Sequence, residues 1–347
     1  MSSSEAPKPH MPTLLGRVTS GEDLSADEAE AAFGLFMDGT ATPVQMSALL
    51  VALRTKGLAP SEVAGGVRAM RRAMVPVAAT DPGTLVDTAG TGGGEITTFN
   101  ISTAAALVAA GAGVRIAKHG NRSFTSRCGS ADVLEALGVK IDLTPQRMGE
   151  VLEEVGIVFM FAPLLHPGMK HVGPVRKELG ITTIMNVLGP LTNPAGARRQ
   201  VVGVADPRLV SLLVRALQEL GHTRGMVVHG SPGMDEISPT AATRVAEVKD
   251  GTVIESEVTP EQLGVEPHPL EGLAGGSAAE NAEVIRAVLS GKKQDAARTA
   301  TLLNAAAAIY VGGAAESLAA GVAAATKAID SGAAEAKLEG LRSASGR

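Results

Sequence analysis

The sequence predicts an α/β protein: a small helical N-terminal domain plus a larger α/β domain with a mostly parallel central sheet flanked by helices. Three observations predict it. Residues 86–122 read strand, glycine loop, helix, strand, polar loop, which is one βαβ unit with a ligand loop after each strand. Val158 to Phe161 is a continuous apolar run, as a parallel strand buried on both faces would be. From Leu14 to Met74, by contrast, apolar residues recur at helical spacing with no strand between them.

In chain order, residues 1–12 read as a polar, Pro-containing flexible tail. Ser25-Ala-Asp-Glu28 is a capping box, followed by an apolar face of Ala29, Ala32, Phe33 and Phe36. Thr42-Pro43-Val44-Gln45 supplies an N-cap, a proline at the first helical position and a glutamine at the third. Met46, Leu49, Leu50 and Leu53 follow, and Pro60 opens a helix carrying Val63, Val67 and Met70. These apolar faces suit a core or a contact between two copies of the chain.

Pro76 and Pro82 mark the crossing into the α/β part. A strand ends near Asp87, an Ala-rich helix runs from about Ser102 to Gly111, and a strand at 114–117 delivers Lys118-His119-Gly120-Asn121-Arg122 as a loop. A helix at 131–137, a short strand at 140–143 and a helix capped by Thr144-Pro145 lead to the apolar run at 158–161. Segment 164–190 is polar and punctuated by Pro and Gly; it reads as a helical excursion that returns to the first domain. Strands at 200–205 and 224–228 flank a helix introduced by Asp206-Pro207. Asp250-Gly251 between two Val-rich runs signals a hairpin. Ser277-Ala-Ala-Glu280 caps another helix, and Ala-rich helices fill 295–342. The expected domains are 13–80, joined by about 164–190, and 81–163 with 191–343.

Composition bounds the function. Hydrophobic residues make up 45% of the 347, and without Trp and with one Tyr the core must be aliphatic. A net charge of −5 and 2% aromatics argue against a nucleic-acid binder built on a basic face and stacking rings. Cys128 is the single cysteine, so no internal disulfide or thiolate cluster exists, which fits a reducing cytoplasm. The charge-free stretches 96–114 and 299–315 are too rich in small and polar residues to span a membrane. The N-terminus lacks a signal-peptide pattern, so the expectation is a cytoplasmic protein with no nucleic-acid or membrane partner.

The glycine loop suits phosphates. Gly90, Gly92, Gly93 and Gly94 let the backbone approach an anion, and the amides at a helix start point outward with a positive dipole. Thr98, Asn100, Ser102 and Thr103 add neutral donors, and Lys118 and Arg122 add charge one strand later. The loop is neither a P-loop nor a GxGxxG turn.

DTAGTGGGEITTFNISTAA followed by KHGNRSFTSRCGSADVLEALG resembles the anthranilate phosphoribosyltransferase family, of the nucleoside phosphorylase/phosphoribosyltransferase superfamily. FAPLLHPGMKHVGPVRKELGITTIMNVLGPLTNPA and VHGSPGMDEISP extend the resemblance to about residues 13–343. The resemblance implies transfer of the phosphoribosyl group of 5-phospho-α-D-ribosyl 1-diphosphate (PRPP) to the amino group of anthranilate, a step of tryptophan biosynthesis. It implies Mg²⁺ as cofactor. A homodimer joined through the N-terminal helices is expected on a different ground, since their apolar faces exceed what a domain of ~70 residues can bury by itself.

Carried over position by position, the implied PRPP site is Gly90, Gly93, Gly94, Thr98, Asn100, Ile101, Ser102, Thr103, Lys118, His119, Gly120, Asn121, Arg122, Ser123, Phe124, Thr125, Ser126 and Ser130. Arg176 matches the family's carboxylate-binding arginine, whose fork suits a carboxylate. Gly90 and Asn121 match further anthranilate contacts, with His119 and His166 as walls. Asp235 and Glu236, with the Ser102 hydroxyl, are the implied metal ligands. No general base is assigned, because an aromatic amine needs little proton removal before attack. The chain departs from the family at Gly94-Glu95, where Asp-Gly is usual. Glu95 is expected to face solvent and to leave the metal contacts to Asp235 and Glu236. A pyrimidine nucleoside phosphorylase shares the Gly-Thr-Gly-Gly loop, but Lys118-His119-Gly120-Asn121 and Pro174-Val175-Arg176 argue against it.

Overall fold

The computed structural model describes residues 10–92, 94, 96–123 and 127–347. The chain forms two compact units, Met1–Val75 with His166–Thr192, and Pro76–Leu165 with Asn193–Arg347.

The first unit is helical among its described residues: Met11–Thr19, Ala26–Met37, Pro43–Lys56, Pro60–Ala73, Met169–Leu179 and the short Met185–Leu188. Two reciprocal caps fix where helices start. Ser25 Oγ accepts from the Glu28 amide at 3.3 Å while Glu28 accepts from the Ser25 amide at 2.9 Å. Thr42 and Gln45 repeat the exchange at 3.2 and 3.0 Å. Phe33 and Phe36 meet edge to face at 5.2 Å inside a core with Leu49, Leu50, Leu53, Val63 and Val67. The fully buried Glu62 is satisfied by Lys56 at 3.1 Å and by the amides of Leu24 and Ala59.

The second unit is built on a seven-stranded sheet of order β3-β2-β1-β4-β5-β6-β7. Its strands are β1 Val86–Gly90, β2 Ile116–Gly120, β3 Ile157–Phe161, β4 Arg199–Gly203, β5 Arg224–Gly230, β6 Thr243–Lys249 and β7 Thr252–Val258. The first five are parallel; β6 and β7 add an antiparallel hairpin. Asp250 at φ 49° and Gly251 at φ 78° form its two-residue turn, which needs positive φ at both positions. From β1 the chain steps to β2 and β3 on one side, then crosses back to β4 on the other. The order of strands therefore reverses at β1, the place where open α/β sheets hold ligands beyond the carboxyl ends of their strands.

The helix Ile101–Gly111 follows β1 and is buried along nearly its whole length. Its alanines let Ala296–Gly312 and Ala333–Ser345 pack closely on it, and Gly111 lies against the Ala334 backbone. Burial of Leu107 and Val108 is worth about 1.5–3 kcal/mol each. Among the described residues no helix is long and apolar enough to cross a membrane.

Two expectations are corrected. Residues 140–143 form no strand. Ile141 and Leu143 do point inward while Lys140 and Asp142 are exposed, so the alternation is real. The segment makes no ladder, and the Lys140 amide donates to Ser345 Oγ at 3.0 Å instead. The second correction concerns β2, which lies two residues later than 114–117 and includes Lys118, His119 and Gly120. These three residues belong to a strand rather than a loop.

Candidate functional site

Gly90 ends β1 and Gly203 ends β4, and the two are partners in register. A Cβ on Gly90 would overlap the Asp235 carboxylate, and one on Gly203 would overlap the Asp235 carbonyl. Both strand ends thus lack side chains where the loop after β5 folds back across them. Asp235 Oδ2 accepts from the Gly92 amide at 3.0 Å, and Gly92 has φ +64°. The glycine loop and the Asp235-Glu236 loop are thereby joined at the switch point of the sheet.

Lys118, on β2, is buried beside them. Its ammonium donates to the Thr88 carbonyl, to Ser102 Oγ at 3.3 Å and to Thr88 Oγ1 at 3.4 Å. Burial pulls its pKa down to about 8, against the opposing pull of Asp87 and Glu236. Asp87, fully buried within β1, is pushed up to about 6 by burial. It accepts from the His119 amide at 3.1 Å and from Asn193 Nδ2 at 2.8 Å. Asn193 Nδ2 also donates to the Ala117 carbonyl at 2.8 Å, so one amide braces β1 and β2 together. Glu236 is half-buried, and its carboxyl is crowded by Asp235 and faced by Lys118. Burial first, and the Asp235 charge second, raise it well above the usual carboxylate range.

Crowded carboxylates beside a buried lysine are the donor set that a divalent cation and an anion together would need. Mg²⁺ binds through one or two carboxylates, waters and phosphate oxygens, so Asp235, Glu236 and the nearby Ser102 hydroxyl fit it. Among the described residues no group of three or more His, Cys, Asp or Glu could hold a metal unaided.

The other residues are placed as follows. Thr98 forms an isolated bridge with Ala274, and Ile101 is fully buried, leaving only its backbone for a ligand. Thr103 Oγ1 is buried with no hydrogen-bond partner among the described residues. Asn100 does not hold its amide in reserve: Nδ2 donates to the Cys128 carbonyl at 3.1 Å, and Oδ1 accepts from Asn281 at 2.9 Å. Gly94 is exposed, and a Cβ there would stand 3.1 Å from Ala205 Cβ and from the Gly233 carbonyl. His119 is buried. Gly120 lies against Ser130 and Phe159. The Asn121 carbonyl accepts from Ser130 Oγ at 3.2 Å. Arg122 is engaged by Asp132 at 2.7 Å and Glu135 at 2.6 Å, and the Ser123 amide faces Asp132. Gly93, Glu95, Phe124, Thr125 and Ser126 lie outside the described residues.

His166 and Arg176 belong to the first unit. His166 is buried, and burial lowers its pKa to about 4. Arg176, on Met169–Leu179, is half-buried, and its guanidinium has no hydrogen bond or ion pair among the described residues; desolvation lowers its pKa.

Sequence reasoning missed Asp87, Thr88, Asn193, Gly203 and Asn281. A charged residue inside the apolar run Leu85-Val86-Asp87 was a usable signal for the first. The others act through long-range contacts that no spacing reveals.

Two family descriptions match: "Glycosyl transferase family, helical bundle domain" over residues 12–74 and "Glycosyl transferase family, a/b domain" over 82–335. The chain is 53% identical over 325 residues to the anthranilate phosphoribosyltransferase of Rubrobacter xylanophilus, covering 94% of each. It is similar to the crystal structure of anthranilate phosphoribosyltransferase from Thermus thermophilus, with a TM-score of 0.91 at 44% identity over 96% of this chain and 99% of that one. It is also similar to the Saccharomyces cerevisiae enzyme in complex with PRPP and Mg, with a TM-score of 0.87 at 28% identity over 97% of this chain and 98% of that one. On sequence across nearly its whole length, and on fold, the chain belongs to the anthranilate phosphoribosyltransferase family.

Proposed function

We propose that the chain transfers the phosphoribosyl group of PRPP to the amino group of anthranilate, giving N-(5-phosphoribosyl)anthranilate and pyrophosphate. The observation that carries this is the junction of the glycine loop, the start of Ile101–Gly111, Lys118 and the Asp235-Glu236 pair at the carboxyl ends of β1, β2 and β5.

In this reading the glycine-loop amides and Lys118 hold the diphosphate and stabilise the charge that develops as its bond to the ribose breaks. Asp235, Glu236 and Ser102 would hold Mg²⁺, which neutralises diphosphate charge when bound. The buried Asp87 and Asn193 fix β1 against β2, so Lys118 meets the diphosphate without reorganising. Arg176, without a partner among the described residues, pairs with the anthranilate carboxylate, and His166, held neutral at working pH by burial, offers an uncharged wall. Gly90, His119 and Asn121 are assigned to the same substrate on the resemblance. Positioning of the neutral amine near the ribosyl carbon then supplies much of the rate, and no protein base is required.

The test is pyrophosphate release from PRPP by the purified chain, which should depend on anthranilate. Release equally fast without anthranilate, or phosphorolysis of thymidine in its place, would contradict the reading. A cytoplasmic homodimer is part of the same proposal. Val44 (77% exposed) and Val51 (38%) lie on one helix of the first unit and support a contact there between copies, and light scattering should give twice the chain mass.

A further inference from the structure

The segment 273–281 clasps the end of the glycine loop. The Phe99 amide donates to the Leu273 carbonyl at 2.9 Å, and the Gly275 amide donates to the Thr97 carbonyl at 3.1 Å. Gly275 is pressed so closely on the Thr98 carbonyl that a Cβ would overlap it. Asn281, almost fully buried on Ala278–Leu289, closes the clasp. Its Oδ1 accepts from the Gly276 amide at 2.8 Å, which turns its Nδ2 to donate to Asn100 Oδ1 at 2.9 Å. Asn100 is oriented in the same way from its other side, since its Nδ2 donates to the Cys128 carbonyl at 3.1 Å. The Cys128 thiol donates to Asn100 Oδ1 at 3.3 Å and is also hydrogen-bonded to Asn281. Asn100 immediately precedes Ile101–Gly111, and Cys128 stands two residues before the helix Ser130–Ala136. Each amide in this chain has one orientation that satisfies its partners, and reversing either would face oxygen with oxygen.

We infer that Asn281 is a positioning residue for the transfer reaction: through Asn100 it holds the start of Ile101–Gly111 and the Cys128 backbone in the register that receives the diphosphate. Asn281 touches no reacting atom. Its role is to keep Asn100 as a strut between the start of Ile101–Gly111 and the Cys128 carbonyl. The inference rests on the proposed reading of the glycine loop as the PRPP cradle, and its effect belongs to PRPP and not to the aromatic substrate.

The experiment compares the full-length wild type with Asn281→Ala, Asn281→Asp, Asn100→Ala and Asn100→Ala/Asn281→Ala in steady-state assays that vary each substrate. Asn281→Ala should raise the PRPP KM about three- to tenfold and leave the anthranilate KM within about twofold, as expected for one lost buried hydrogen bond. Asn281→Asp keeps the side-chain volume but sets oxygen against Asn100 Oδ1, so it should be at least as impaired; it also carries the test where the alanine variant does not fold. Asn281→Ala should add nothing further in the Asn100→Ala background. An unchanged PRPP KM, equal rises for both substrates, or additive effects in the double variant would overturn the inference. Turnover of PRPP and anthranilate by the wild type decides the reading of the loop separately.

Discussion

The Asp235 carboxylate accepts the Gly92 amide at 3.0 Å and occupies the space a side chain on Gly90 would need. One residue on the loop after β5 thus sets both the backbone of the glycine loop and the position of a candidate metal ligand. Gly90→Ala forces that carboxylate away from the loop. A shift near 1 Å costs about 100-fold in kcat/KM, so that loss is expected together with a higher Mg²⁺ requirement. Steady-state assays across a Mg²⁺ titration check both.

Asp235 and Glu236 are crowded for function at some expense to the fold. Glu236→Gln removes a carboxyl whose charged form burial and Asp235 disfavour. It should raise the melting temperature in metal-free buffer by roughly 2–4 °C while lowering turnover strongly. Calorimetry beside an activity assay measures the two together. Loss of both stability and activity would mean that Glu236 is a structural residue.

Lys118 gives the pH dependence. Its folded-state pKa is drawn down to about 8 by burial, so the free protein carries this charge below that pH and loses it above. Anion binding needs the ammonium, and the dissociation constant for PRPP should therefore rise about tenfold per pH unit above pH 8. Asp87 and Glu236, the carboxylates facing Lys118, oppose the loss of its charge. Lys118→Arg does not titrate in this range and should flatten the profile, whatever its absolute affinity. Calorimetric titration with PRPP between pH 7 and 9.5 checks the slope.

Arg176→Ala should raise the anthranilate KM by roughly 30- to 150-fold, the worth of a charge-assisted pair of ~2–3 kcal/mol, with a much smaller change for PRPP. The half-buried guanidinium, unpaired among the described residues, motivates the choice. An unchanged anthranilate KM would remove Arg176 from the substrate site.

Local chemistry made much of the fold legible. The capping boxes at Ser25, Thr42 and Ser277 and the Asp250-Gly251 turn are decided by neighbours within three residues, and all four stand where the sequence puts them. Residues 140–143 depart from the expected strand because alternation reports which side chains face inward, not whether a neighbouring strand is free to pair. At the site, glycines and hydroxyls in a βαβ frame were readable as an anion cradle. Asp87 with Asn193, 106 residues apart, and Asn100 with Asn281, 181 apart, were not, because nothing local marks such partners. The same limit hid the pairing of Gly90 with Gly203 beneath Asp235.

The most direct measurement is the fluorescence of anthranilate on mixing with the purified chain, PRPP and Mg²⁺. The account predicts a progressive loss of fluorescence that requires all four components and matches pyrophosphate release mole for mole. Fluorescence that stays constant while the protein is folded and both substrates are saturating would contradict it.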